Sequence, residues 1–126
     1  MRVLIVDDVA LMRLLLSDIL IKYCQINRGY IHEATDGVSA LGEYKKVRPN
    51  MVFLDVLMPN QNGLEAVKHI LEFDPSAYIV MVSSATEENV VKECLNNGAI
   101  DFIIKPLEPG RVQLSIEKYK NEWKYS

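Results

Sequence analysis

Met51-Val52-Phe53-Leu54-Asp55 decides how this 126-residue chain folds. Four successive apolar residues with no polar alternation describe a strand covered on both faces, as in a parallel sheet sandwiched between helices. The run is too short for a buried helix, and it ends in a carboxylate. Three other apolar runs also end in chemistry. Val3 to Val6 leads into Asp7-Asp8, Tyr78 to Val82 into Ser83-Ser84, and Phe102 to Ile104 into Lys105-Pro106. In a parallel α/β sheet the carboxyl ends of the strands open into one crevice. Three carboxylates, one or two hydroxyls and one ammonium are therefore expected to meet there, a set suited to a divalent cation and a phosphoryl group.

The segments between these runs carry helical periodicity. Residues 10–26 predict a helix with Leu11, Leu14, Leu15 and Ile19 facing the sheet. Residues 30–34, only half apolar, predict an edge strand. Asp36 predicts an N-cap for 37–47, with Val38, Leu41 and Tyr44 on one face and Pro49 as the stop. Met58-Pro59 predicts an irregular turn. Asn62-Gly63 opens a helix over 64–73 with Leu64, Val67, Ile70 and Leu71. Ser84 and Glu87 have capping-box spacing for 86–97, and Asn97-Gly98 predicts its end. Residues 100–104 predict a fifth strand. Pro109 suits the first turn of a last helix running to about 123, with Val112, Ile116, Tyr119 and Trp123 inward.

Five βα units with short loops predict an α/β fold, a five-stranded parallel sheet with helices on both faces. Right-handed crossovers restrict the topology. The most apolar internal runs belong at the centre and the weak second strand at an edge. Order 2-1-3-4-5, the flavodoxin-like arrangement, satisfies both and puts Asp7, Asp8 and Asp55 beside the switch point.

Composition narrows the function classes. The length predicts one domain, 1–126. Seventeen acidic against fourteen basic residues give a net charge of −3, without a basic stripe, which argues against nucleic-acid binding. No apolar run approaches a membrane span, and the chain opens on a strand pattern, so a cytoplasmic protein without a membrane association is expected. Cys24 and Cys94 match no metal or disulfide pattern and read as core thiols. No Gly-rich dinucleotide loop and no Gly-Lys-Ser/Thr phosphate loop follows the first strand. Adjacent acids stand there instead. They repel phosphate unless a cation intervenes, and hard oxygen ligands favour Mg²⁺. Taken singly, Asp8 could cap a helix, Lys105 could snorkel and Ser83 could cap. Together, each at a strand's carboxyl end, they describe a site.

Hydrophobic-Asp7-Asp8, Asp55-Val56-Leu57-Met58-Pro59 with Gly63, Ser83-Ser84-Ala85, Gly98-Ala99 and Lys105-Pro106 stand in one order across the whole chain. In that order and spacing the chain resembles the receiver domain of two-component response regulators. The segments Val6 to Arg13 and Lys105 to Val112 resemble its single-domain, CheY-like chemotaxis branch. The resemblance implies that Asp55 is the phosphoacceptor and that Asp8 and Asp55 bind Mg²⁺ directly, with the main-chain carbonyl of Leu57, while Asp7 acts through water. Ser83 would bind a phosphoryl oxygen and Lys105 would pair with another. Phe102 would occupy the switch-aromatic position, and Lys105-Pro106 would be cis. Implied partners are a histidine kinase and a downstream protein, such as a flagellar motor switch or a phosphatase. The implied role is that of a monomeric signalling switch, not an enzyme. Leu57 and Ala85, two residues after Asp55 and Ser83, carry no group to orient a hydrolytic water. The competing readings are a receiver cut from a larger regulator, a phosphorelay intermediate, and a magnesium-dependent aspartyl phosphatase. The last normally has a second Asp where this chain has Leu57.

Overall fold

Each apolar run becomes a strand, and all five strands are parallel. In the computed structural model, which describes residues 1–58 and 62–123, the strands are Val3–Val6 (β1), Ile31–Ala34 (β2), Met51–Asp55 (β3), Ile79–Ser83 (β4) and Asp101–Ile104 (β5). Their order is β2-β1-β3-β4-β5, as the apolar patterning requires. The helices are Ala10–Cys24 (α1), Gly37–Val47 (α2), Gly63–Phe73 (α3), Glu88–Asn96 (α4) and Pro109–Lys118 (α5). The turn predicted at Met58-Pro59 involves Pro59, which lies outside the described residues.

Strand residues alternate between two cores, so continuous apolar runs are needed. Leu4, Val6, Val52, Leu54, Ile79 and Met81 pack with Ala40, Tyr44, Val67, Ile70, Val91 and Cys94 on the α2–α3–α4 side. Val3, Ile5, Phe53, Val80, Val82 and Ile103 pack with Leu16, Leu20, Val112, Ile116 and Tyr119 on the α1–α5 side, against which Trp123 also leans. Both cysteines are free and buried. No helix among the described residues is long and apolar enough to cross a membrane.

The predicted caps form. Asp36 Oδ1 accepts the Ser39 N–H at 2.7 Å, Asn62 Oδ1 accepts the Glu65 N–H at 3.0 Å, and Glu87 Oε1 accepts the Ser84 N–H at 2.6 Å. Behind the last, a 3₁₀ turn at Ala85–Glu87 precedes α4, which is shorter than expected. Gly98 ends α4's turn with φ +118°, a value that L side chains rarely adopt. After Lys118 the last helix widens into a π turn, Tyr119–Trp123.

Two predicted faces hold only in part: Ile19 on α1 and Leu41 and Tyr44 on α2 turn inward as expected, and the other named residues do not. On α1 the buried residues are Leu16, Ser17, Ile19, Leu20 and Cys24, while Leu11, Leu14 and Leu15 point outward. Apolar residues surround this helix, so its periodicity does not fix which side turns inward. The choice is made by what the sheet and α5 offer to pack against. On α2, Ala40 and Tyr44 are buried and Val38 is exposed. Strand β5 also departs from its apolar reading: Asp101 and Ile103 are buried, Phe102 and Ile104 exposed. It is an edge strand with only one covered face.

Candidate functional site

The crevice at the carboxyl ends of β1, β3, β4 and β5 gathers the expected side chains. Asp7 follows β1, Asp55 ends β3, Ser83 ends β4 and Lys105 follows β5. Asp7, Asp8 and Asp55 each offer one carboxylate oxygen, and these oxygens all lie within 4.8 Å of one another. Asp7 and Asp55 are buried, whereas Asp8 faces solvent. Lys105 Nζ donates to Asp55 Oδ1 at 3.2 Å and stands 4.0 Å from Asp7 Oδ2.

The backbone beneath these groups is pinned from several sides. Asp55 is in register with Val82, and the next N–H, of Val56, donates to the Val82 carbonyl at 3.0 Å. Gly63 N–H donates to the Val56 carbonyl at 2.7 Å. A Cβ on Gly63 would stand 3.0 Å from both the Val56 Cα and its oxygen, tighter than nearly all real Cβ contacts, so the backbone would have to give by a few tenths of an ångström. Glycine lets α3 begin directly beside the end of β3 without displacing that backbone. Lys105 N–H donates to the Ser83 carbonyl at 2.7 Å, and the Lys105–Pro106 peptide is cis, as the resemblance implies.

Asp7 is held in the same way. Its N–H donates to the Ala34 carbonyl at 3.2 Å, and its Oδ1 accepts the Val9 N–H at 2.9 Å. Val9 is the N-cap of α1 and that helix has no side-chain cap. Capping therefore does not explain Asp8, whose exposed carboxylate still reaches within 4.8 Å of the other two acids. Arg13, to which the sequence assigned no role, donates from Nη1 to the Asp7 carbonyl at 2.8 Å and from Nε to Glu33 Oε1 at 2.9 Å. The sequence carries an Arg six residues after Asp7. That Glu33 of β2 meets it is visible only once the sheet is assembled.

Three carboxylates against one ammonium leave the crevice short of positive charge. The Asp55 carboxyl is accordingly pushed up to about 6. Burial is the main cause and the Asp7 charge adds to it, while Lys105 offsets part of both. Hard oxygen donors suit a small divalent cation, which would relieve the mutual repulsion of three carboxylates that one ammonium leaves uncompensated. The residues present fit Mg²⁺.

Ser83 is buried and, with Ser84, Ala85, Val91 and Phe102, lines a cavity of about 320 Å³ between the β4–α4 loop and β5. Phe102 is 37% exposed at its rim. Its main chain is held on both sides: its N–H donates to Asp101 Oδ1 at 2.8 Å, and its carbonyl accepts Arg111 Nη2 at 2.5 Å. The Leu57 side chain is exposed beside the acidic cluster.

Known proteins resemble this chain over most of its length. The family model "Response regulator receiver domain" matches residues 3–117. The chain is 43% identical to Chemotaxis protein CheY of Thermotoga maritima over 119 residues, covering 93% of this chain and 95% of that protein. It is 38% identical to Chemotaxis protein CheY of Bacillus subtilis, with 95% and 98% covered. Among solved structures, a chain of the CheX–CheY–BeF3–Mg²⁺ complex of Borrelia burgdorferi superposes with a TM-score of 0.84 at 34% identity. The superposition covers 96% of this chain and 90% of that one.

Proposed function

For a chain that belongs to the response regulator receiver domain family, we propose that Asp55 is the phosphoacceptor of a CheY-like signalling switch, working with Mg²⁺ in chemotaxis. The observation that carries this reading is the buried Asp55 carboxylate. It sits within 4.8 Å of two further acids and in contact with one lysine, at the switch point of the sheet. Asp8, Asp55 and the Leu57 carbonyl would hold the cation, with Asp7 supporting them through water. When bound, Mg²⁺ supplies positive charge against the oxygens of the incoming phosphoryl group.

The chain's own residues do the rest. An Asp55 oxygen attacks phosphorus; the new P–O bond forms as the bond to a kinase histidine nitrogen, or to the oxygen of a small acyl phosphate, breaks. The leaving group takes the electron pair. Lys105 turns from the Asp55 carboxylate to a phosphoryl oxygen, and the Ser83 hydroxyl donates to another. Such catalysis is positioning and electrostatics. Because the attacking group is itself modified, the chain acts as a switch and not as a turnover enzyme. Inward movement of Ser83 opens the neighbouring cavity to the Phe102 ring and reshapes the face made by α4, β5 and α5. Phosphorylation shifts this equilibrium only by its differential affinity for the two states.

A histidine kinase upstream and a protein target downstream are the partners this reading requires. Support for chemotaxis comes from the relatives' names, and support for magnesium from the Borrelia complex containing CheY, BeF3 and Mg²⁺. The test is incubation with Mg²⁺ and a small acyl phosphate, followed by intact mass. Wild type should gain one phosphoryl group and Asp55→Asn none; equal gain in both would overturn the assignment. With Leu57 and Ala85 beside the site, the phosphorylated protein should persist well beyond seconds once the donor is removed. Decay within seconds would show that some other group orients the water.

A further inference from the structure

We infer that Arg13, held by Glu33, is a positioning residue for the divalent-cation site: it fixes the Asp7–Asp8 peptide so that the Asp8 carboxylate is presented to the metal. This rests on the reading of the acidic cluster as a Mg²⁺ site. Asp8 is exposed and stands in a tight loop between a strand end and a helix whose N-terminus has no side-chain cap. Without a restraint, ordering its carboxylate would fall on the metal and weaken binding. Asp7 provides part of the restraint by accepting the Val9 N–H. Arg13 provides the rest, because its Nη1 bond to the Asp7 carbonyl fixes the oxygen of the peptide that leads into Asp8.

The guanidinium is aimed as a fork. Nη1 reaches the main chain after β1 while Nε reaches Glu33 on β2, and the Arg13 side chain is only 17% exposed. A planar two-pronged donor can hold both partners at fixed angles, which a lysine cannot. Charge alone argues the other way, since a cation near a cation site repels metal. Two observations limit that repulsion. Glu33 pairs with the guanidinium, and the prong nearest the site is directed at a neutral carbonyl. The pair thus contributes geometry with little net field.

For removal of the Arg13 guanidinium, geometry and charge predict opposite signs, so a titration separates them. Calorimetric titration of MgCl₂ into purified metal-free protein should give about tenfold weaker binding for Arg13→Met. Arg13→Lys, which keeps the charge and loses the fork, should bind several-fold more weakly. Glu33→Gln, at a half-exposed side chain, should weaken binding in the same direction. Leu20→Ala, which destabilises the core far from the crevice, should leave the Mg²⁺ affinity of the folded protein unchanged. Binding as tight as wild type or tighter in Arg13→Met, or wild-type affinity in both Arg13→Lys and Glu33→Gln, would overturn the inference while leaving the metal site standing. Wild-type protein that shows no saturable Mg²⁺ binding would sink the reading of the site and this inference with it.

Discussion

Asp55 sits where its charged form is disfavoured. Its carboxyl titrates near 6 because burial, reinforced by Asp7, disfavours the anion more than Lys105 favours it. The sign of the effect on stability follows from proton counting. Between about pH 4 and 6 the folded chain holds a proton that the unfolded chain has released, so stability from this residue falls as pH rises through that window. At neutral pH the full penalty is present. Without metal, Asp55→Asn should therefore raise unfolding stability at pH 7.5 by about 1–2 kcal/mol, after discounting the lost Lys105 contact, with the gain disappearing near pH 4. Urea denaturation of both proteins in chelator measures this. No gain at pH 7.5 would mean that the pocket tolerates the anion better than its burial suggests. The sequence placed this carboxylate at the end of a central strand. It could not state how far from water it would lie.

At the scale of elements, the β5–α5 contact has the opposite acid. Burial would raise the Asp101 carboxyl, but hydrogen bonds from Ser115 Oγ at 2.7 Å, Arg111 at 2.9 Å and the Phe102 N–H outweigh it, and the net shift is downward. A depressed carboxyl contributes stability that is full above its ordinary titration range and is lost as pH falls through the lower folded value. Asp101→Asn should cost about 2–4 kcal/mol at pH 7, and the difference from wild type should narrow below pH 4. A constant deficit across that range would assign the loss to packing instead. Helix α1 offers a second test, because its inward face was misread from sequence. Leu20→Ala, in the core, should cost about 2–5 kcal/mol, whereas Leu14→Ala, on a side chain 57% exposed, should stay within about 0.5 kcal/mol. Equal losses in thermal melts would contradict the observed rotation of the helix. Caps at Asp36, Asn62 and Ser84 were legible because they depend on residues three apart. The rotation of α1 was not, since leucines and isoleucines stand on every side of it.

For the whole molecule, folding assembles an acidic crevice that a cation can neutralise, so under the proposed function metal and stability would be linked. Mg²⁺ at a hundredfold excess over its dissociation constant should add about 2.7 kcal/mol. The gain should be largest above pH 6 and shrink below it, where the metal must compete with the proton on Asp55. Thermal melts with and without Mg²⁺ at pH 5 and 7.5, repeated for Asp8→Ala, check this. A pH-independent shift, or one that survives in Asp8→Ala, would place the cation elsewhere. By itself the sequence determined the five parallel strands, their order, the sheet edge to which the acids, Ser83 and Lys105 belong, and the family resemblance. Those follow from apolar runs that need cover on both faces and from polar residues that interrupt them at one end. Tertiary structure alone decided which leucines of α1 are buried, that β5 has one covered face, and that Arg13 meets Glu33 beneath the Asp7 carbonyl. It also decided how strongly Asp55 resists ionising. Each of these depends on the distances between segments remote in the chain, and local pattern carries no information about them.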